Sequence, residues 1–322
     1  MNHLNDDYEK NTTRPEKIHI IGEDVPYLKD MYDTLSNVSN IKVFSEASSI
    51  SKGKVRREIS EKELVDNLLD FCSQIKSLNN RTDLEEEDRE VVDKVDQFLD
   101  SVTYLSHEMY NMAIQGLARY HADWLVEKSS RAVRFIVHDI ANEKSQGQIA
   151  KDIVNAIIEA EPELEGRATV LATNDLSLSH LDEDIKLVVA DDWSVSGNLI
   201  AQDISYIYRH FRPITSEAKI EVNLLVARQD QVASGIHTID RLKEDYPEFD
   251  SPTLMAYYSA PENEEYYGYK AFTSGSHSSV DYGFSNTLEK MYAVLRRYSG
   301  NLEVYMPYAA EIIPKYRYNY TT

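Results

Sequence analysis

The chain has 322 residues, 42% of them hydrophobic, enough for one large domain or two ordinary ones with a real core. Its formal net charge is −21, from 55 acids against 34 bases, which argues against nucleic-acid backbones and anionic membranes as partners. A single cysteine, Cys72, excludes a disulfide framework and a thiolate metal site, and no apolar run approaches the roughly 18 residues of a membrane helix.

Residues 1–16 are polar and read as a disordered lead-in, with no basic-then-apolar leader pattern, so the expected setting is soluble and cytoplasmic. Residues 17–131 are expected to form an N-terminal strand and a helical cap. The strand is Lys17-Ile18-His19-Ile20-Ile21, ending at Gly22, and the Ser-, Lys- and Arg-rich stretch 45–57 reads as a loop. Ser60-Glu61-Lys62-Glu63 is a capping box ahead of Leu64, Leu68, Phe71, Cys72 and Ile75, which share one helical face. Thr82-Asp83-Leu84-Glu85 repeats the device before Val91, Val95, Phe98, Val102 and Leu105, and the acids 85–90 suit the start of that helix through its dipole. A third helix is predicted over 107–127. The block 55–127 reads as a cap or an oligomerisation element, so a homo-oligomer fits the sequence.

From residue 132 to 322 the expected unit is an α/β domain, with a Tyr-rich C-terminal extension from about 253. Strands are predicted at 133–138, 168–172, 185–190 and 220–227. Between them lie a helix carrying Ile149, Ile153, Ala156 and Ile157 inward and another carrying Ile200, Ile204, Ile207 and Phe211. Short strands alternating with helices predict a mainly parallel sheet covered by helices on both faces. Thirteen of the 22 tyrosines lie from Tyr257 onward, in a region expected to add strands near 253–258 and 302–306 and a helix near 287–298. Such tyrosines could stack a planar acceptor, although core and interface roles are commoner. No G-x-G-x-x-G, Walker A, H-E-x-x-H or G-x-S-x-G sequence occurs, and no internal repeat.

The richest segment is Leu187-Val188-Val189-Ala190-Asp191-Asp192-Trp193-Ser194-Val195-Ser196-Gly197-Asn198. An apolar strand ends in two carboxylates, a short Ser/Gly turn follows, and a helix begins. Adjacent acids can accept hydrogen bonds from ribose hydroxyls, while small residues let backbone N–H groups close on a phosphate at a helix N-terminus. The bland alternative is a buried strand running into an Asp-rich turn, with Ser196 or Asn198 capping the helix. The segment resembles the phosphoribosyl-diphosphate (PRPP) loop of type I phosphoribosyltransferases at Asp191, Asp192, Ser196 and Gly197. It departs at Trp193, where an aliphatic residue is usual, and at Asn198 and Leu199, where small hydroxylic residues are.

The resemblance implies a phosphoribosyltransferase-like fold. Asp191 and Asp192 would then hold the ribose and serve catalysis, and Ser194, Val195, Ser196, Gly197 and Asn198 would hold the 5′-phosphate. It also implies that the loop after the first core strand, 139–147, grips the diphosphate through Asn142, Lys144, Ser145 and Gly147. Asp139 and Glu143 in that loop oppose a diphosphate unless a metal intervenes, which makes Mg2+ the expected cofactor. The loop's other reading is an ordinary strand-to-helix connection, and His138 reads as a packed strand-end histidine.

A second candidate site is Thr273 to Gly283, where Ser276, His277 and Asp281 stand among hydroxylic residues and glycines that could bind an anion; a flexible surface loop is the alternative. Three functions follow. The first is an enzyme transferring phosphoribosyl from PRPP to an acceptor the sequence does not identify. The second is a non-catalytic sensor of a nucleotide or ribose phosphate, or an assembly subunit, on the same fold. The third is a plain interaction protein. The partner in the first two is a small sugar phosphate or nucleotide, with no nucleic acid and no membrane. No metal ligands can be named.

Overall fold

A computed structural model describes residues 19–24, 42–46, 56–100, 103–137, 145–175, 184–193, 198–210, 219–227, 252–259, 271–273, 290–291 and 293–298. In chain order, β1 spans His19–Ile20, β2 Lys42–Glu46 and β3 Arg56–Ser60; helices α1 (Glu61–Asn79) and α2 (Glu86–Asp100), strand β4 (Thr103–Leu105) and helix α3 (His107–Val126) follow. Then come β5 (Ala132–Val137), α4 (Ser145–Ala160), β6 (Ala168–Ala172), β7 (Ile185–Trp193), α5 (Asn198–His210), β8 (Lys219–Ala227), β9 (Thr253–Ser259) and β10 (Ala271–Thr273). The chain divides into two compact units, residues 1–24 with 111–262 and residues 25–110 with 263–322.

The first unit is built on a six-stranded sheet of order β1-β9-β8-β7-β5-β6, parallel at every pairing. Parallel strands buried on both faces need nearly continuous apolar runs. β8 is buried from Ile220 through Ala227, but its run is broken by two polar residues, Glu221 and Asn223, which are buried with the rest. On one face Leu187, Val189, Ile220, Val222, Leu224, Leu254 and Ala256 form a core with Ile204, Ile207 and Tyr208 of α5. Alternate strand residues point to the other face. There Glu221 and Asn223 meet Tyr120 and His121 of α3. Helices α3 and α5 therefore cover opposite faces, as the α/β pattern predicts.

Strand β9 pairs with both β8 and β1 inside this sheet, so residues 253–259 are a sheet strand and not the beginning of an extension. On the α3 face, a Cβ at Gly116 would lie 2.0 Å from Cε2 of Tyr257. Only a glycine lets that ring rest directly on the helix backbone.

In the second unit α1 packs against α2, with Cys72, Ile75, Leu78, Val92 and Val95 buried. Ser60 directly precedes α1, as its capping box predicts. Helix α2 begins at Glu86, later than the second capping box suggests, because Asp83 is held by Arg81 through two hydrogen bonds of 2.8 and 2.7 Å. The first turn of α2 is acidic, Glu86, Glu87 and Asp88, as expected of a helix N-terminus. Residues 293–298 are helical, and Tyr298 donates a 3.1 Å hydrogen bond to Asp88, which also pairs with Arg297.

The expected loop 45–57 needs correction at both ends. Lys42–Glu46 and Arg56–Ser60 form an antiparallel pair, with Val43 opposite Ile59 and Ser45 opposite Arg57. Polar composition hid these strands, since a hairpin is defined by its pairing and not by either arm alone. β10 pairs in parallel with β4. The lead-in 1–16 and the strand expected at 302–306 lie outside the described residues.

Candidate functional site

The sheet has a topological switch between β5 and β7. These two strands are parallel neighbours, yet β5-α4-β6 leads to one edge of the sheet and β7-α5-β8 toward the other. Right-handed crossovers then send α4 and α5 to opposite faces, the arrangement in which open α/β sheets bind ligands at the carboxyl ends of their strands. Register adds a step there. Phe135 pairs with Val188, after which β5 continues two residues to Val137 and β7 five residues to Trp193. Three extra residues at strand rise let β7 project about 10 Å beyond β5.

Asp191 and Asp192 are both strand residues. β7 runs to Trp193, three residues past the predicted end, because β8 goes on pairing: Asp191 lies opposite Leu224 and Trp193 opposite Val226. Asp191 falls on the face of Leu187 and Val189, toward α5, and is buried. Asn198 is the first residue of α5. Ser145 and Gly147 are the first and third residues of α4. Gly147 is buried, and a Cβ there would meet no described atom within 4 Å. Asn142, Lys144, Ser194, Val195, Ser196 and Gly197 lie outside the described residues, as do Ser276, His277 and Asp281.

Three further buried polar residues gather at this carboxyl edge: Gln146 in the first turn of α4, Thr173 just after β6, and Asp203 in the second turn of α5. Gln146 Nε2 donates a 2.7 Å hydrogen bond to Asp203 Oδ2. Sequence reasoning passed over all three. Asp203 carried a signal, since it lies three residues after Ile200 and four before Ile207, an acid on the apolar stripe of its helix. Gln146 lay unremarked inside the chosen loop. Thr173 carried none beyond following a strand.

A second polar cluster lies at the amino half of the same sheet, on the α3 face. Lys186 Nζ is 3.1 Å from Glu221 Oε2, and both side chains are almost wholly buried. Tyr120 donates to Glu221 Oε2 at 3.0 Å and Asn223 Nδ2 donates to Glu221 Oε1 at 2.7 Å. With its amide nitrogen so engaged, Asn223 turns Oδ1 to His121 Nε2 at 2.6 Å. A neutral His121 that donates from Nε2 leaves Nδ1 a bare acceptor, and this atom has no hydrogen-bond partner among the described residues. Burial drives the His121 pKa down to about 4, aided by the Lys186 charge and opposed by Glu221. Burial also lowers the Lys186 pKa against the pull of Glu221, and burial and the Glu221 carboxylate raise that of Tyr120. The rings of Tyr120 and Trp124 flank the Lys186 ammonium at 4.5 and 4.7 Å. Each charge here has its counter-charge and its hydrogen bonds, the condition for tolerating ions in a core. This cluster fixes α3 onto β7 and β8.

No protein-family model matches the chain, and no curated protein matches it. Among solved structures it is similar to hypoxanthine-guanine phosphoribosyltransferase from Schistosoma mansoni in complex with IMP, at 11% identity and a TM-score of 0.27. That likeness covers 48% of this chain and 66% of the other.

Proposed function

We propose that the carboxyl edge of the sheet between β5 and β7 binds a ribose 5-phosphate group, most simply that of PRPP, and that the protein transfers phosphoribosyl to an acceptor. The observation that carries this reading is one of placement. The acid-Ser-Gly segment leaves β7 and leads into α5 on one side of the switch. The segment 138–144 leaves β5 and leads into α4 on the other. A ligand at the carboxyl ends of these strands meets two helix N-termini, where N–H groups favour phosphate oxygens.

In this reading Asp191 and Asp192 hold the ribose hydroxyls, and Ser194 to Asn198 hold the 5′-phosphate. Asn142, Lys144, Ser145 and Gly147 serve the diphosphate. The bond from the anomeric carbon to the diphosphate oxygen breaks, and its electron pair leaves with diphosphate. The acceptor's lone pair forms the new bond on the opposite face with inversion, and the acceptor gives up its proton. Carboxylates beside the ribose stabilise the oxocarbenium-like transition state by charge and position. The carboxylate of Asp191, buried at this edge, is hard oxygen chemistry that suits Mg2+. Among the described residues no group of three or more His, Cys, Asp or Glu is placed to hold an ion; in this reading Mg2+ would arrive on the diphosphate. Bound there, it supplies positive charge that a chain of net charge −21 otherwise lacks.

A non-catalytic binder of nucleotides is the second reading, favoured by Asp139 and Glu143 in the diphosphate segment. Calorimetry with PRPP and with a nucleoside monophosphate, each with and without Mg2+, separates the two. The enzyme reading expects PRPP to bind in the presence of Mg2+, and Asp191→Asn with Asp192→Asn to weaken it at least about a hundredfold through lost charge-assisted hydrogen bonds. Tight monophosphate binding with no diphosphate release in any acceptor mixture favours the sensor. Unchanged binding in the double variant removes the site.

A further inference from the structure

The buried hydrogen bond between Gln146 and Asp203 has a position that core packing alone does not call for. Gln146 is the second residue of α4 and Asp203 the sixth of α5, and the two helices cover opposite faces of the sheet. They are 8% and 3% exposed, and their side chains meet at 2.7 Å over the switch between β5 and β7. Burying a carboxylate on the apolar stripe of α5, beside Ile204 and Ile207, is unfavourable unless it is well paired. An aliphatic residue at 203 would serve the core better. What the pair does offer is a fixed distance between the first turn of α4 and the second turn of α5.

We propose that Gln146 and Asp203 are positioning residues of the carboxyl-edge site: their hydrogen bond is a clamp that holds the first turn of α4 and the second turn of α5 at a fixed separation beside the switch between β5 and β7. The inference rests on the ribose-phosphate reading of that site and adds two residues to it, neither of which touches the ligand. Preorganisation of this kind lowers the ordering cost of binding, so its loss shows in affinity. Asp203 also lies in the same layer as Asp191, between β7 and α5. The clamp therefore sets the helix against which the ribose-binding acid is packed.

The test uses the full chain, PRPP with Mg2+ as the probe, and calorimetry together with melting temperature. Gln146→Ala and Asp203→Ala are each expected to weaken PRPP binding about tenfold, since each removes the shared hydrogen bond. Asp203→Asn keeps an oxygen that accepts from Gln146 and is expected to bind within about threefold of wild type. A merely structural pair would lower the melting temperature of the alanine variants and leave their dissociation constants within about twofold of wild type; that result overturns the clamp. If Asp203→Ala does not fold, Gln146→Ala against wild type decides the matter. Failure of the wild-type chain to bind PRPP overturns the parent reading and the clamp with it, whereas wild-type binding that the variants leave intact overturns the clamp alone.

Discussion

His121 gives the protein a sharp acid dependence. Its ring is wholly buried between α3 and the sheet, edge-on to Phe135 at 5.3 Å and beside Tyr120 at 5.1 Å. The charged groups facing it are Glu221, 3.7 Å away and favouring protonation, and Lys186, opposing it; burial outweighs both and holds the pKa at about 4 against an ordinary 6.5. As pH falls through 6.5 the unfolded chain takes up a proton at this position while the folded chain does not. Stability is therefore flat above neutrality, declines with acidification, and levels off near pH 4. A gap of two and a half pKa units, from 6.5 to about 4, corresponds to about 3 kcal/mol in full and about 2 kcal/mol by pH 5.

The assay is urea unfolding followed by tryptophan fluorescence, at pH 7.5 and pH 5, for wild type and His121→Gln. Both tryptophans, Trp124 and Trp193, belong to the first unit, so the signal reports the unit that holds His121. Glutamine can still donate to Asn223 but does not titrate. Whatever stability the substitution itself removes is the same at both pH values, and all other titrating groups are shared. Wild type should lose about 2 kcal/mol more than the variant between the two pH values. Parallel pH curves for the two proteins, or a nuclear magnetic resonance titration of His121 with a midpoint near neutrality, would refute the reasoning.

Two other consequences concern the same face of the sheet. Glu221→Gln leaves the Lys186 ammonium buried without its counter-charge and should destabilise by about 3–5 kcal/mol in the same unfolding assay, whereas adding Lys186→Met should recover much of that loss. At an ordinary helix interior Gly→Ala gains up to about 1 kcal/mol. At Gly116 the added methyl would overlap the Tyr257 ring, so Gly116→Ala should cost about 1–3 kcal/mol, and in a Tyr257→Ala background the same change should turn stabilising.

The sheet was legible because its signals are local and redundant. Ala168–Ala172 is a short, largely apolar run, the stretch 220–223 alternates apolar and polar residues before the apolar 224–227, and the inward residues of α4 repeat at helical spacing through Ile149, Ile153 and Ile157. Pairing left no such trace. Nothing in Lys42–Glu46 announces Arg56–Ser60 as its partner. Nor does the composition of 185–193 show that β8 continues alongside and draws Asp191 and Asp192 into the strand. The residues of the proposed site were unevenly legible for the same reason. Asp191 stood out as an acid ending an apolar run. Gln146 and Asp203 became interesting only once the strand order set α4 and α5 on either side of the switch. The His121 cluster was invisible, since its members are spread from Tyr120 to Asn223 and meet only when α3 lies across the sheet.

The two buried polar clusters occupy opposite ends of one strand, and that separation makes function and stability separately measurable. Lys186 is the second residue of β7 and Asp191 the seventh. Five strand residues span about 17 Å, and the odd offset sends the two side chains to opposite faces. Substitutions that far apart are expected to act additively. Protonation or mutation around His121 thus changes how much of the first unit is folded, and leaves the intrinsic affinity of the folded carboxyl edge as it was. A ligand-binding defect in Asp191→Asn that persists at pH 7.5, where His121 is neutral in both folded and unfolded chains, therefore belongs to the carboxyl edge itself and cannot be ascribed to the acid-sensitive cluster beneath α3.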